Sequence, residues 1–240
     1  MQGVDFSSYS DVGGRTNNED AYLAKKISNG YLFIVADGLG GHDDGEMASN
    51  LAVKSIEEFM TNNNCEDIVE AVGFAGNAVL DMQREYSSKM KTTIALAYVT
   101  ESNTQIAHVG DSRVYAFKDG KLVHQTRDHS ASQLAVSVGE IQPEDIRNHE
   151  DRNILLRALG AGEEVKVEVT KLQNIEFDTL LLCSDGFWEY VLESEMENEL
   201  SNSISAGMWL EKMRAILISR APEKCDNNTA IAVMIDKNEF

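Results

Sequence analysis

The chain has 240 residues, 42% hydrophobic and 25% charged, which suits a soluble globular protein long enough to bury a sizeable core. Its net charge of -19 argues against nucleic acid as a partner, because phosphate backbones bind basic surfaces. No run of about 18 apolar residues is present, which argues against a membrane helix. The three scattered cysteines, Cys65, Cys183 and Cys225, have no zinc-type spacing and fit a reducing, cytoplasmic setting. The opening Met1-Gln2-Gly3-Val4-Asp5-Phe6 carries neither a basic region nor an apolar signal core. Nothing signals an oligomer, so a monomer is expected.

Residues 4–10 alternate apolar and polar side chains and predict a first strand, turned by residues 11–14. Residues 20–24 predict a second strand, and Ser28-Asn29-Gly30 turns into the apolar run 31–37, read as a buried third strand. These three read as an antiparallel meander. From Asp43 to about Thr61 the pattern is helical, with Ala48, Ala52, Ile56 and Phe59 on one face. A second helix begins near Cys65 or Glu66, with Ile68, Val72, Ala75, Val79 and Met82 forming its core stripe. Strands are predicted at 92–99, 105–109, 113–118 and 121–125, the last two joined by the hairpin signal Asp119-Gly120.

Residues 128–162 hold only short helical pieces, 130–138 and 143–147, and lack a continuous apolar face. They are expected to form a mobile, flap-like excursion that shapes substrate access. Strands at 165–172 and 179–184, helices at 193–200 and 208–219, and a strand at 229–235 complete the chain. Strands group and helices come in pairs. This predicts an α+β fold with two antiparallel sheets and helix pairs on their outer faces, in one domain spanning 1–240.

Several acidic residues share one placement, at a strand end beside small residues. They are Asp37 before Gly38, Asp185 before Gly186, Asp111 after Gly110, Asp226 ahead of the last strand, and the pair Glu19-Asp20 opening the second strand. Each alone also reads as a turn or a helix cap. Gathered at one sheet edge, oxygen-only ligands of this kind suit Mg²⁺ or Mn²⁺. Two such ions would activate a water and stabilise charge on a transferring phosphoryl group. Arg15, in a glycine-containing loop before Glu19-Asp20, is either a phosphate clamp or a surface salt bridge.

The ordered set of short signatures resembles the metal-dependent serine/threonine protein phosphatases of type 2C, in their compact bacterial form. The matching stretches are Arg15-Thr16-Asn17-Asn18-Glu19-Asp20, Asp37-Gly38-Leu39-Gly40-Gly41-His42, Gly110-Asp111-Ser112-Arg113, Ser184-Asp185-Gly186 and Asp226-Asn227-Asn228-Thr229. Lys91-Thr92-Thr93, Asp128-His129-Ser130, and Asn153 through Leu159-Gly160 resemble the family's next strand and the stretches around its mobile flap. The resemblance implies a four-layer α-β-β-α sandwich and two to three Mn²⁺ or Mg²⁺ ions. It implies that Asp37 bridges two ions, that the Gly38 carbonyl binds one of them, and that Asp185 and Asp226 complete the other site. Asp111 with Asp185 would hold a third ion, Glu19 would act through water, Asp20 would orient a metal-bound water, and Arg15 would hold the substrate phosphate. The implied reaction is direct attack of a bridging water on phosphoserine or phosphothreonine in proteins, opposing a serine/threonine kinase. The alternative is an inactive phosphoprotein-binding module of the same fold. Leu39 stands where certain members carry a histidine proposed as general acid, and that role is not transferred to His42.

Overall fold

The computed structural model describes residues 3–27, 29–40, 44–62 and 66–235. The features expected at Ser28, His42 and Cys65 lie outside them. The first sheet has the order β2-β3-β5-β6-β9, built from Asp20–Ile27, Gly30–Leu39, Ile94–Val99, Asn103–Val109 and Glu168–Gln173, with the short β4 (Lys91–Thr92) paired to the end of β3. The second has the order β1-β11-β10-β7-β8, from Val4–Asp11, Asn228–Ile235, Thr179–Cys183, Arg113–Lys118 and Lys121–Gln125. All the strand pairs in both sheets are antiparallel.

Three apolar clusters set the layers. Phe33, Val35 and Ala97 from the first sheet meet Val114, Leu182 and Val233 from the second in an apolar inter-sheet core. Leu32, Ile34 and Leu96 point the other way, onto α1 (Asp44–Asn62) and α2 (Ile68–Tyr86) through Ala52, Ile56, Val72 and Val79. Tyr115, Leu181 and Ala232 pack onto α4 (Asp185–Trp188), α5 (Glu193–Ser201) and α6 (Ala206–Arg220) through Phe187, Met196, Trp209 and Met213. A strand that is apolar throughout is the consequence of burial on both faces, and β3, β5 and β10 are buried along almost their whole length. The four-layer α-β-β-α sandwich is therefore the observed architecture. Among the described residues no helix is long and apolar enough to cross a membrane.

Four expectations need correction. The first three strands do not form a meander: β1 pairs with β11 in the second sheet, Val4 opposite Ile235, while β2 pairs with β3 in the first. Alternation fixes which face a strand buries, not which strand lies beside it. The predicted strand at 92–99 is interrupted at Thr93, whose side chain turns to other work described below. Asp185 does not sit in a plain turn but opens the short α4, too brief to show a helical period. The strand predicted from residue 165 begins at Glu168, because Val165 and Val167 pack sideways onto the helical core of α1 and α2. The turn at Asp119-Gly120 is as expected, with φ of 50° and 75°, the left-handed pair that a two-residue hairpin needs.

The segment 128–162 contains α3 (Ala131–Ser137) and a 3₁₀ turn at Pro143–Asn148. It is pinned on both sides of the sandwich. Ile146 belongs to the core under α5 and α6, and Leu159 to the core under α1 and α2.

Candidate active site

β3 carries its apolar run to Ala36 and then places Asp37 on the face that borders the first cleft. In the register of β2 with β3, Asp20 lies directly opposite Asp37. Like charges in that arrangement repel unless something compensates them. The loops at this edge bring in the rest. A cleft of about 220 Å³ is lined by Arg15, Glu19, Asp37, Gly38, Asp111, Asp185 and Asp226, joined by Leu39, Gly40, Asn153, Leu155 and Asn227. The structure thus gathers seven of the eight residues singled out from sequence, contributed by distant parts of the chain, around one cavity. The eighth, Asp20, sits behind them and is buried.

A shell of neutral groups fixes these carboxylates. The Asp37 amide donates to Thr93 Oγ1 (2.9 Å), and its carbonyl accepts from the Thr93 amide (2.9 Å) and from Thr92 Oγ1 (2.8 Å). Thr93 Oγ1 also meets Ser112 Oγ at 2.7 Å, which ties the Asp37 strand end to the Asp111 loop. Trp188 Nε1 donates to the Asp111 carbonyl (2.9 Å). Ser184 Oγ donates to Asp20 Oδ2 (2.7 Å) and accepts from the Thr229 amide (3.0 Å). Asn227 accepts from the Glu19 amide through Oδ1 (2.8 Å), and its Nδ2 donates to the Val12 and Asn17 carbonyls. Two glycines permit the closeness. A Cβ on Gly38 would lie 2.1 Å from the Gly45 carbonyl oxygen, and one on Gly186 would lie 2.1 Å from that of Asn227.

The electrostatics of this cleft are unfavourable as a purely protein structure. Burial, then the charges of Asp185, Asp20, Asp111 and Asp226, raises the Asp37 carboxyl well above the usual range. Asp111 is raised in the same direction by burial and by Asp185 and Asp128. Burial, with Glu189, Asp226 and Asp20, pushes Asp185 up to about 7, and burial is also the main cause that takes Asp20 to about 6. Asp20 Oδ1 and Asp185 Oδ1 are buried with no hydrogen-bond partner. Among the lining residues the one cationic side chain is Arg15, at the rim, 2.5 Å from Asp226 Oδ2. Orphaned carboxylate oxygens and mutually opposed charges are what hard divalent cations would satisfy, so the residues fit such ions.

A stability prediction follows. A carboxyl raised in the folded state holds its proton where the unfolded chain has lost it. Its contribution is complete below about pH 4 and disappears as pH climbs through about 7. In the absence of divalent ions, Tm should fall between pH 5 and 8, and Mn²⁺ should raise it most at the upper end. Differential scanning calorimetry with and without EDTA checks this. A metal-free Tm that rises steadily to pH 8 contradicts it.

Some groups gained meaning only in three dimensions. Arg113 donates through Nε and Nη2 to the two carboxylate oxygens of Asp128 (2.8 and 2.7 Å), and both side chains are buried. The guanidinium also stacks on Trp188, 3.5 Å from the ring centroid. Trp188 in turn donates to the Asp111 carbonyl, which links this buried pair to the Asp111 loop. His108 and His129 stack at 4.6 Å, and with Glu168 they place three potential ligand atoms within 4.8 Å of one another. That group does not suit a metal. His129 Nδ1 accepts the Gly110 N–H (3.1 Å), so its proton sits on Nε2, which faces Glu168 and the Arg157 guanidinium. Sequence spacing could not have shown either arrangement.

The model for Protein phosphatase 2C matches residues 9–221. This chain belongs to that family. It is similar to the serine/threonine phosphatase stp of Listeria welshimeri, 32% identical over 93% of this chain and 92% of that protein. The crystal structure of the Mycobacterium tuberculosis serine/threonine phosphatase PstP/Ppp superposes with a TM-score of 0.85 at 27% identity, covering 98% of this chain and 99% of that one. The catalytic domain of PstP in complex with two manganese ions superposes with a TM-score of 0.82 at 26% identity, covering 98% and 99%.

Proposed function

We propose that this protein hydrolyses phosphoserine and phosphothreonine in phosphoproteins, the substrates of a serine/threonine kinase, with Mn²⁺ or Mg²⁺ as cofactor. The observation that supports this most is the convergence of Asp37, Asp111, Asp185 and Asp226 on one cleft with Arg15 at its rim. Asp37 and the Gly38 carbonyl, with Asp185 and Asp226, would hold two ions, Asp111 with Asp185 would hold a third, and Glu19 would act through water. Bound there, such ions would supply an activated water and neutralise the charge that builds on the phosphoryl group.

The chain's own residues do the positioning. Arg15 is more than half exposed and pairs with Asp226 at the rim, where its fork could reach a phosphate in the cleft. Asp20 is locked by Ser184 through Oδ2 and offers its unpaired Oδ1 as an acceptor that orients water. Leu39 and Leu155 give the mouth of the cleft apolar walls that limit bulk water. The segment 128–162 supplies Asn153 and Leu155 to that mouth and shapes substrate access.

The test is hydrolysis of p-nitrophenyl phosphate and of a phosphothreonine peptide with Mn²⁺, with EDTA as control. Metal-dependent turnover of both is expected. Folded protein that binds Mn²⁺ yet turns over neither would favour the binding-module reading instead.

A further inference from the structure

We propose that a second cleft beside the carboxylate cluster binds another anionic group of the same phosphoprotein, an acidic side chain or a second phosphate near the one removed. This rests on the phosphatase reading above. The cleft, about 310 Å³, shares Leu39, Asn153 and Leu155 with the carboxylate cleft, so the two adjoin. Their charges are opposite. Among the described residues, the second is lined by Lys89, Lys91 and Arg157 and by no acidic side chain. That is a marked local bias in a chain with 40 acidic and 21 basic residues.

The two lysines are uncommitted. Among the described residues Lys89 and Lys91 face no carboxylate, unlike Lys25, Lys54, Lys118, Lys121 and Lys212; Lys26, Lys166, Lys171 and Lys224 pair with none either but do not line this cleft. Their backbone is nonetheless firmly held. Lys91 pairs with Leu39 in the β3–β4 ladder, two residues beyond Asp37. Thr92 and Leu159 exchange both backbone hydrogen bonds (3.2 and 2.8 Å), which holds the Arg157 strap against the Lys89–Lys91 segment. Gln83 Nε2 donates to both the Met90 and Gly160 carbonyls (2.6 and 2.9 Å), closing the far end. Arg157 lies in the cleft wall with its Nη1 3.1 Å from His129 Nε2, a protonated nitrogen that cannot accept from it, so the guanidinium keeps its donors for an anion. Leu39 and Leu156 add apolar surface for the intervening peptide. Cations held on a fixed frame without partners form a site for anions, and the acidity elsewhere on the surface sharpens the contrast.

The experiment compares phosphothreonine peptides that differ only at positions within three residues of the phosphothreonine, carrying alanine, glutamate, lysine or a second phosphoserine. With Mn²⁺, kcat/KM should be about threefold to tenfold higher for the glutamate and phosphoserine peptides than for alanine, because each exposed charge pair adds modestly. The lysine peptide should be the poorest. A larger gain with phosphoserine than with glutamate identifies a second phosphate as the preferred occupant, and the reverse identifies an acidic side chain. Lys89→Glu together with Lys91→Glu should abolish or invert the glutamate-to-alanine ratio, and about 0.5 M salt should shrink it in the wild-type protein. Equal kcat/KM for all four peptides, or an unchanged ratio in the double variant, overturns the subsite. With p-nitrophenyl phosphate turned over, that result leaves the phosphatase reading standing. If no substrate at all is hydrolysed, the phosphatase reading fails and takes the subsite with it.

Discussion

Asp37→Asn should lower kcat by on the order of 10³-fold while leaving the fold intact, because it removes the carboxylate on which the charges of Asp185, Asp20, Asp111 and Asp226 converge. Burial and the charges of Asp185, Asp20, Asp111 and Asp226 all oppose ionisation of Asp37. Without ions the same substitution should therefore raise Tm, by several degrees, since a charge that the fold penalises is gone. Hydrogen bonds with the Thr92 and Thr93 hydroxyls and with the Thr93 amide hold Asp37 through its own amide and carbonyl, and they survive the change. The pairing of lost activity with gained metal-free stability separates a ligand role from a structural one. Circular dichroism melts in EDTA and steady-state kinetics in Mn²⁺ read the two halves. A lower Tm in EDTA would mean that Asp37 is structural.

The second large effect concerns stability. Asp128→Ala should cost about 3–5 kcal/mol, because it leaves the Arg113 guanidinium buried with its bidentate partner missing. Tyr115 Oη, at 3.1 Å from Arg113 Nη1, and Glu193, at 3.7 Å, remain, but neither replaces two charge-assisted hydrogen bonds. For a chain of this length the loss should lower Tm by roughly 10 °C. Replacing both residues at once, Arg113→Met with Asp128→Leu, should recover much of it, since no charge is then stranded. A double-mutant cycle in urea measures the coupling. Additive single effects would show that the pair does not act as a unit. Trp188 stacks on Arg113 and donates to the Asp111 carbonyl, so Asp128→Ala should also loosen the Asp111 loop and weaken any divalent-ion binding at the proposed third position.

What could be read beforehand depended on how local the cause was. The β3 strand was plain, because burial on both faces forces an unbroken apolar run from Tyr31 to Ala36. The stripe Ile68, Val72, Ala75 and Val79 was plain for the same reason, as one helical face in one core. The partner of β1 was not, since its alternation is equally compatible with β2 and with β11. The break at Thr93 was hidden, because a threonine in an apolar stretch gives no sign that its hydroxyl will bind the Asp37 amide and Ser112. Arg113 and Asp128 were both in view within short signatures, but 15 positions apart and on different elements, with nothing in their spacing to announce a buried pair. The acidic residues of the cleft could be named individually from their strand-end placement. Their meeting in one cavity is a property of the two-sheet topology, which brings the ends of β3, β6, β10 and the start of β11 to one edge.

The most direct test of the whole account is an anomalous diffraction map from crystals grown with Mn²⁺. It should place at least two ions in the cleft, with carboxylate oxygens of Asp37, Asp185 and Asp226 and the Gly38 carbonyl within about 2.0–2.6 Å of them and Arg15 turned away from Asp226. Manganese peaks elsewhere, with this cleft unchanged and Arg15 still paired to Asp226 at saturating metal, would contradict it.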